Sequence, residues 1–115
     1  MVNKYLEKCI QTITNGIVYH TTDSDEDDIT KEDAQMIAEI LKDYKTILEH
    51  SVALMRDYGA SFNHGDDDKS CVKLALNLIQ INNSKRMCKT NDDYIRIKIF
   101  NSTTNDLFNA IKKMK

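Results

Sequence analysis

The chain has 115 residues, of which 41% are hydrophobic and 30% charged, enough apolar character for one folded core and too much for a disordered chain. Its formal net charge of −2 conceals a division: residues 1 to 68 hold six Lys/Arg against fifteen Asp/Glu, and residues 69 to 115 hold ten against three. No apolar run is long enough to cross a bilayer and the N-terminus lacks the pattern of a secretory signal, so a cytoplasmic, intracellular protein without membrane association is expected.

The first twenty-odd residues open with helical spacing. Tyr5, Leu6, Cys9, Ile10 and Ile13 share one face, and Asn15-Gly16 reads as a helix stop. Ile17 to Thr22 is short and β-branched, suited to a strand or a loop, and the run Asp23-Ser24-Asp25-Glu26-Asp27-Asp28 after it is too charged to pack, which defines an acidic linker at 22–29.

Thr30 begins the clearest element. Its hydroxyl can cap Asp33, Ile29 can staple onto Ala34, and the helix should run to Tyr58, with Gly59 ending it. Ile37, Leu41, Tyr44, Leu48, Ser51, Met55 and Tyr58 follow steps of four and three, the seam of a coiled coil. Ile40, Ile47 and Leu54 widen that seam, as a bundle helix would also require.

After a loop over 59–69, Cys71 to Ile81 is apolar on nearly every side and should form the central helix, broken at Asn82-Asn83-Ser84. A basic loop, Lys85 to Lys89, leads to Tyr94 to Phe100, where Ile95, Ile97 and Ile99 alternate with Arg96 and Lys98 as in a half-buried strand. Thr103-x-x-Asp106 then reads as the cap of a last helix carrying Leu107, Phe108, Ile111 and Met114 on one face and Lys112, Lys113 and Lys115 at its end. The expectation is a mainly α single domain over 1–115, a bundle of about four helices, with a short β-ribbon pairing 17–22 with 94–100 as the alternative left open.

Chemistry-bearing patterns are scarce. Asp23-x-Asp25-x-Asp27 imitates the start of a calcium loop, but Asp28 stands where glycine is needed and Ala34 where a bidentate glutamate is needed. His64-Gly65-Asp66 is an interrupted His-Asp pair and reads as a polar turn, since His20 and His50 have no matching carboxylates. The isolated Gly16, Gly59 and Gly65 exclude a glycine-rich phosphate loop, and no nucleophile motif is present, so an enzyme is not expected and no cofactor or metal is implied. Cys9, Cys71 and Cys88 are too few and too scattered for a disulfide framework or zinc knuckle, and they read as free thiols; only Cys88 has cationic surroundings.

Recognition is what remains. The charge division suggests a small protein-binding regulator or inhibitor acting by stoichiometric interaction, with Asp23, Asp25, Glu26, Asp27 and Asp28 as its partner-binding residues. Thirteen Lys against three Arg, with no Pro or Trp, is the usage of AT-rich coding DNA, compatible with a phage, mobile element or virus. The seam of Ile37, Leu41, Tyr44, Leu48, Met55 and Tyr58 offers a homodimer interface. The alternative is nucleic-acid binding through Lys85, Arg86, Lys89, Arg96 and Lys98, with Tyr94 and Phe100 among them.

Overall fold

The structure, a computed structural model, describes residues 3–22, 31–61 and 68–114, without the side chains of 21, 22, 31 and 58–61. It contains four helices packed as one globule: α1 (Lys4–Thr22), α2 (Lys31–Ser61), α3 (Asp68–Ser84) and α4 (Asn91–Lys112). Contacts between helix ends establish the topology. Asn3 Nδ2 donates to the Asp68 carbonyl at 3.4 Å, Arg56 pairs with Asp68 at 3.6 Å, and Lys69 Nζ donates to the Met114 carbonyl at 3.2 Å. One end of the bundle therefore gathers the start of α1, the end of α2, the start of α3 and the end of α4. The helices run up, down, up and down, as short connections between helices favour.

The first helix begins where Asn3, itself buried, turns its Oδ1 to accept the amides of Tyr5 at 3.0 Å and Leu6 at 3.1 Å. That satisfies two of the amides a helix leaves unpaired at its start. The helix does not stop at Asn15-Gly16. It continues to Thr22, because Gly16 lies against α2: a Cβ there would come within 3.2 Å of Leu41 Cδ1. The glycine permits a close helix approach instead of supplying a left-handed cap.

Residues 17–22 and 94–100 form no ribbon; both are helical. The second case has a local cause. Thr90 opens α4 with a capping box, its hydroxyl accepting the Asp93 amide at 3.1 Å while Asp93 Oδ2 accepts the Thr90 amide at 3.2 Å. Helix nucleated there carries through the alternating isoleucines, where Ile95, Ile97 and Ile99 are all half-buried and Phe100 is buried. Thr103-x-x-Asp106 is therefore mid-helix and caps nothing.

The long second helix passes through Gly59 to Ser61, beyond the stop expected from that glycine; Ile29 and Thr30, its expected staple and cap, lie outside the described residues. On α3 the expectation of burial on nearly every side fails. Cys71, Val72, Ala75, Leu76, Ile79 and Asn83 face inward, but Leu74 and Ile81 are each about half exposed, since a helix at the corner of a four-helix bundle shows one flank to solvent.

The core joins Cys9 and Ile13 of α1, Leu41, Tyr44, Leu48 and Val52 of α2, Val72, Ala75, Leu76 and Ile79 of α3, and Phe100, Leu107 and Ile111 of α4. The Tyr44 phenol, fully buried, is accommodated by a hydrogen-bond chain. Thr104 donates its only hydroxyl proton to the Phe100 carbonyl at 2.7 Å, so in the 2.7 Å contact between Tyr44 and Thr104 the phenol is the donor. Phe100 meets the Tyr44 ring edge-on at 4.9 Å. Burial drives the Tyr44 phenol well above its usual range and pushes the Cys9 thiol up to about 12, which makes Cys9 a neutral core residue.

Candidate functional site

Among the described residues, the α3–α4 connection is an exposed segment fastened at both ends by hydrogen bonds. It begins where Asn83, 3% exposed, donates through Nδ2 to the Ile97 carbonyl at 3.1 Å and to Asn101 Oδ1 at 2.9 Å, fastening the end of α3 to α4. Asn83 Oδ1 is buried without a partner. Amides of Lys85 and Arg86 then donate back to the Asn82 and Asn83 carbonyls, at 3.3 and 3.2 Å. At the other side Asp93 Oδ2 accepts the Lys89 amide at 3.2 Å and the Thr90 amide. Those bonds, the Lys89 amide foremost, with the Thr90 hydroxyl and amide and the nearby Arg86 charge, hold the Asp93 carboxyl below the usual aspartate range.

Between these anchors Lys85, Arg86, Met87, Cys88 and Lys89 all face solvent. Met87 is 75% exposed, an unusual state for a flexible apolar side chain, and it is flanked in sequence by Ile81 on the last turns of α3 and Tyr94 on the first turn of α4, both half exposed. Lys98 stands with its Nζ 5.5 Å from the Tyr94 ring centre. Val18 and Tyr19, on the last turns of α1, are exposed at the same end of the bundle. Of seven large exposed apolar residues among those described, five belong to this end, leaving only Leu54 and Leu74 elsewhere.

The five residues of the nucleic-acid alternative separate into two kinds. Lys85, Arg86, Lys89 and Lys98 remain at the loop end and exposed. Arg96 turns inward: its Nη1 bonds Asp43 Oδ2 at 3.0 Å and its guanidinium lies 4.7 Å from the centre of the Phe100 ring. Lys112 and Lys113 are at the opposite end of α4, about 30 Å along the helix from the loop at 1.5 Å per residue. The basic half of the chain is thus two patches, not one.

Comparison with protein-family models, curated proteins and solved structures finds no match. Asp23, Asp25, Glu26, Asp27 and Asp28, expected to meet a partner, lie outside the described residues, as does His64. Thr22, placed in the linker from sequence, closes α1.

The coiled-coil seam is spent inside the chain. Leu41, Tyr44, Leu48 and Ser51 are buried in the monomer, Ile37 and Met55 are half-buried against the core, and Tyr58 has no described side chain. A dimer through Leu41, Tyr44 and Leu48 would require the bundle to open. Among the described residues no group of three His, Cys, Asp or Glu side chains could hold a metal ion, and no helix is long and apolar enough to cross a membrane.

Sequence reasoning passed over Ile81 and Met87 as surface residues. Met87 gave a signal nonetheless, as the one long apolar side chain in a loop otherwise made of cations, a thiol and polar residues.

Proposed function

We propose that this protein acts by binding another protein through the loop end of the bundle, in the manner of a small stoichiometric regulator or inhibitor. The observation that carries this reading is that five of the seven large exposed apolar side chains among the described residues belong to the end of the bundle that holds the cationic loop, whose backbone is tied to both flanking helices. Water contact at Met87 and Ile81 is unfavourable, and a partner that covers them regains roughly 25 cal/mol per Å² of apolar area. Cations at the rim, Lys85, Arg86 and Lys89, favour an acidic partner and hasten its approach.

A nucleic-acid ligand is the second reading, and Tyr94 among Lys85, Arg86, Lys89 and Lys98 is what favours it. Phosphate gains nothing from Met87 or Ile81, and the two readings therefore part on one substitution. Affinity purification from the native host under nuclease treatment should recover a protein partner with the parent chain and lose it with the uncharged Met87→Ser. A ligand that survives Met87→Ser, is removed by nuclease, and is lost only on reversing Lys85, Arg86 and Lys89 to Glu would replace the protein reading with the nucleic-acid one.

A further inference from the structure

A groove of about 300 Å³ opens between the second half of α1 and the middle of α4, with α2 beneath it. Its floor is apolar, made by Ile13, Ile37, Leu41 and Ile99. Gly16 keeps the α1 wall low, since any side chain there would crowd Leu41. The rim is polar and mostly contributed by α4, where Ser102, Thr103 and Asp106 are spaced along one face, with Thr12 and His20 across the gap. Of these, Asp106 is the one carboxylate, and no cation among the described residues forms a salt bridge with it. Thr12 is already satisfied, donating to the Lys8 carbonyl at 2.9 Å.

We propose that this groove is a binding site for a small organic cation, an apolar or aromatic body of modest size carrying an ammonium group. The body covers the isoleucine and leucine floor and the ammonium group meets the Asp106 carboxylate, with the Ser102 and Thr103 hydroxyls available as further acceptors. Size and lining agree with this class, because pockets near the lower bound of ligand sites take one ring, and an apolar floor with a few polar groups at its edge fixes the orientation of such a ligand. An anionic ligand with the same body is opposed by the same carboxylate. The site is independent of the loop end proposed above for protein binding, and neither reading depends on the other.

Three probes with one body and different heads test it: 2-phenylethylamine, 2-phenylethanol and phenylacetate, titrated into the isotopically labelled protein at one fixed pH. The amine should shift the amide signals of Gly16, Ile99, Ser102 and Thr103 in a saturable way and bind about three- to five-fold more tightly than the alcohol, the scale of one solvent-exposed ion pair. Phenylacetate should bind most weakly. Asp106→Asn should abolish the amine's advantage over the alcohol, and Ser102→Leu, an exposed substitution that fills the mouth, should weaken all three probes while the helical spectrum stays that of the parent. Equal affinities for the three heads, shifts centred outside the groove, or no saturable shift with the amine would each overturn the proposal.

Discussion

Leu48 is 0% exposed and belongs to the core cluster with Tyr44, Val52, Val72 and Leu76, whereas Leu74 on the outer flank of α3 is 52% exposed. Both are leucines at helical spacing, and only packing distinguishes them. Truncating Leu48 to Ala removes buried methyl groups and leaves a cavity the neighbouring helices fill incompletely, a loss of about 2 to 5 kcal/mol. A domain of this size has about 5 to 15 kcal/mol in total. With a urea dependence of about 2 kcal/mol per molar, the middle of the usual range, the unfolding midpoint should fall by about 1 to 2.5 M. Leu74→Ala should stay within about 0.5 kcal/mol of the parent. Leu48→Asp goes further, since an ionised carboxylate would have to enter the core without a partner, and that chain should not fold. Urea melts followed by circular dichroism, with light scattering at each concentration, read all three. A folded, monomeric Leu48→Asp obtained from a dimeric parent would mean that this leucine faces a second copy, and would refute the assignment of the α2 seam to the interior of one chain.

Gly16→Ala should be neutral or stabilising by up to about 1 kcal/mol, because alanine is the better helix former and Leu41 can yield a few tenths of an ångström toward the adjoining groove; a clear loss of thermal stability would show instead that Leu41 cannot move and that the close approach of α1 to α2 requires glycine. Asp93, whose carboxyl is held below the usual range by the Lys89 amide and then by Thr90 and Arg86, contributes a local stabilisation that is fully present above the ordinary aspartate range and lost as pH falls through its lowered folded value. Amide exchange at Lys89 and Thr90 should therefore quicken on acidification below about pH 4, after allowance for the intrinsic rate, and Asp93→Asn should remove that pH dependence; protection that is independent of pH in the parent would contradict the capping geometry.

Helix content was legible in the chain because its signals are local. Apolar spacing marked the interiors of α1, α2 and α3, and Asn82-Asn83-Ser84 marked the end of α3. What misled were signals whose meaning depends on a neighbour. Asn15-Gly16 has the chemistry of a helix stop, yet the same missing Cβ serves equally for the approach of Leu41, and nothing in residues 3–22 says which. Thr103-x-x-Asp106 and Thr90-x-x-Asp93 are equivalent as strings. Only the second stands at a chain reversal with unpaired amides to satisfy, while the threonine beside the first, Thr104, turns its hydroxyl back to Phe100 and toward the buried Tyr44 phenol. Period-two spacing at Ile95, Ile97 and Ile99 suggested a strand because a helix half-buried over so wide an arc retains apolar residues at every phase. The loop cations are exposed, as their composition suggests. Arg96 has a partner that no local pattern reveals, since its bond to Asp43 joins residues 53 positions apart, and the groove beneath Asp106 is formed by three helices that no local pattern connects.

The topology gives the charge division a spatial consequence. Because α1 ends and α2 begins at the end of the bundle that holds the α3–α4 loop, the chain enters and leaves its acidic run at the same end as Lys85, Arg86 and Lys89. The cations of Lys112 and Lys113 are at the far end, about 30 Å away along α4. At physiological salt the screening length is about 8 Å, so the two basic patches act on a solute as separate fields. A partner of the kind proposed, meeting the loop end, would be steered by the loop cations and scarcely by Lys112 and Lys113. Neutralising Lys112 and Lys113 to Gln should accordingly leave the association rate of a loop-end partner unchanged, whereas neutralising Lys85, Arg86 and Lys89 should alter it and flatten its salt dependence. Stopped-flow association at two salt concentrations measures both. A rate governed by Lys112 and Lys113 would place the encounter at the opposite end of the bundle, where the described apolar surface offers little for a partner to cover.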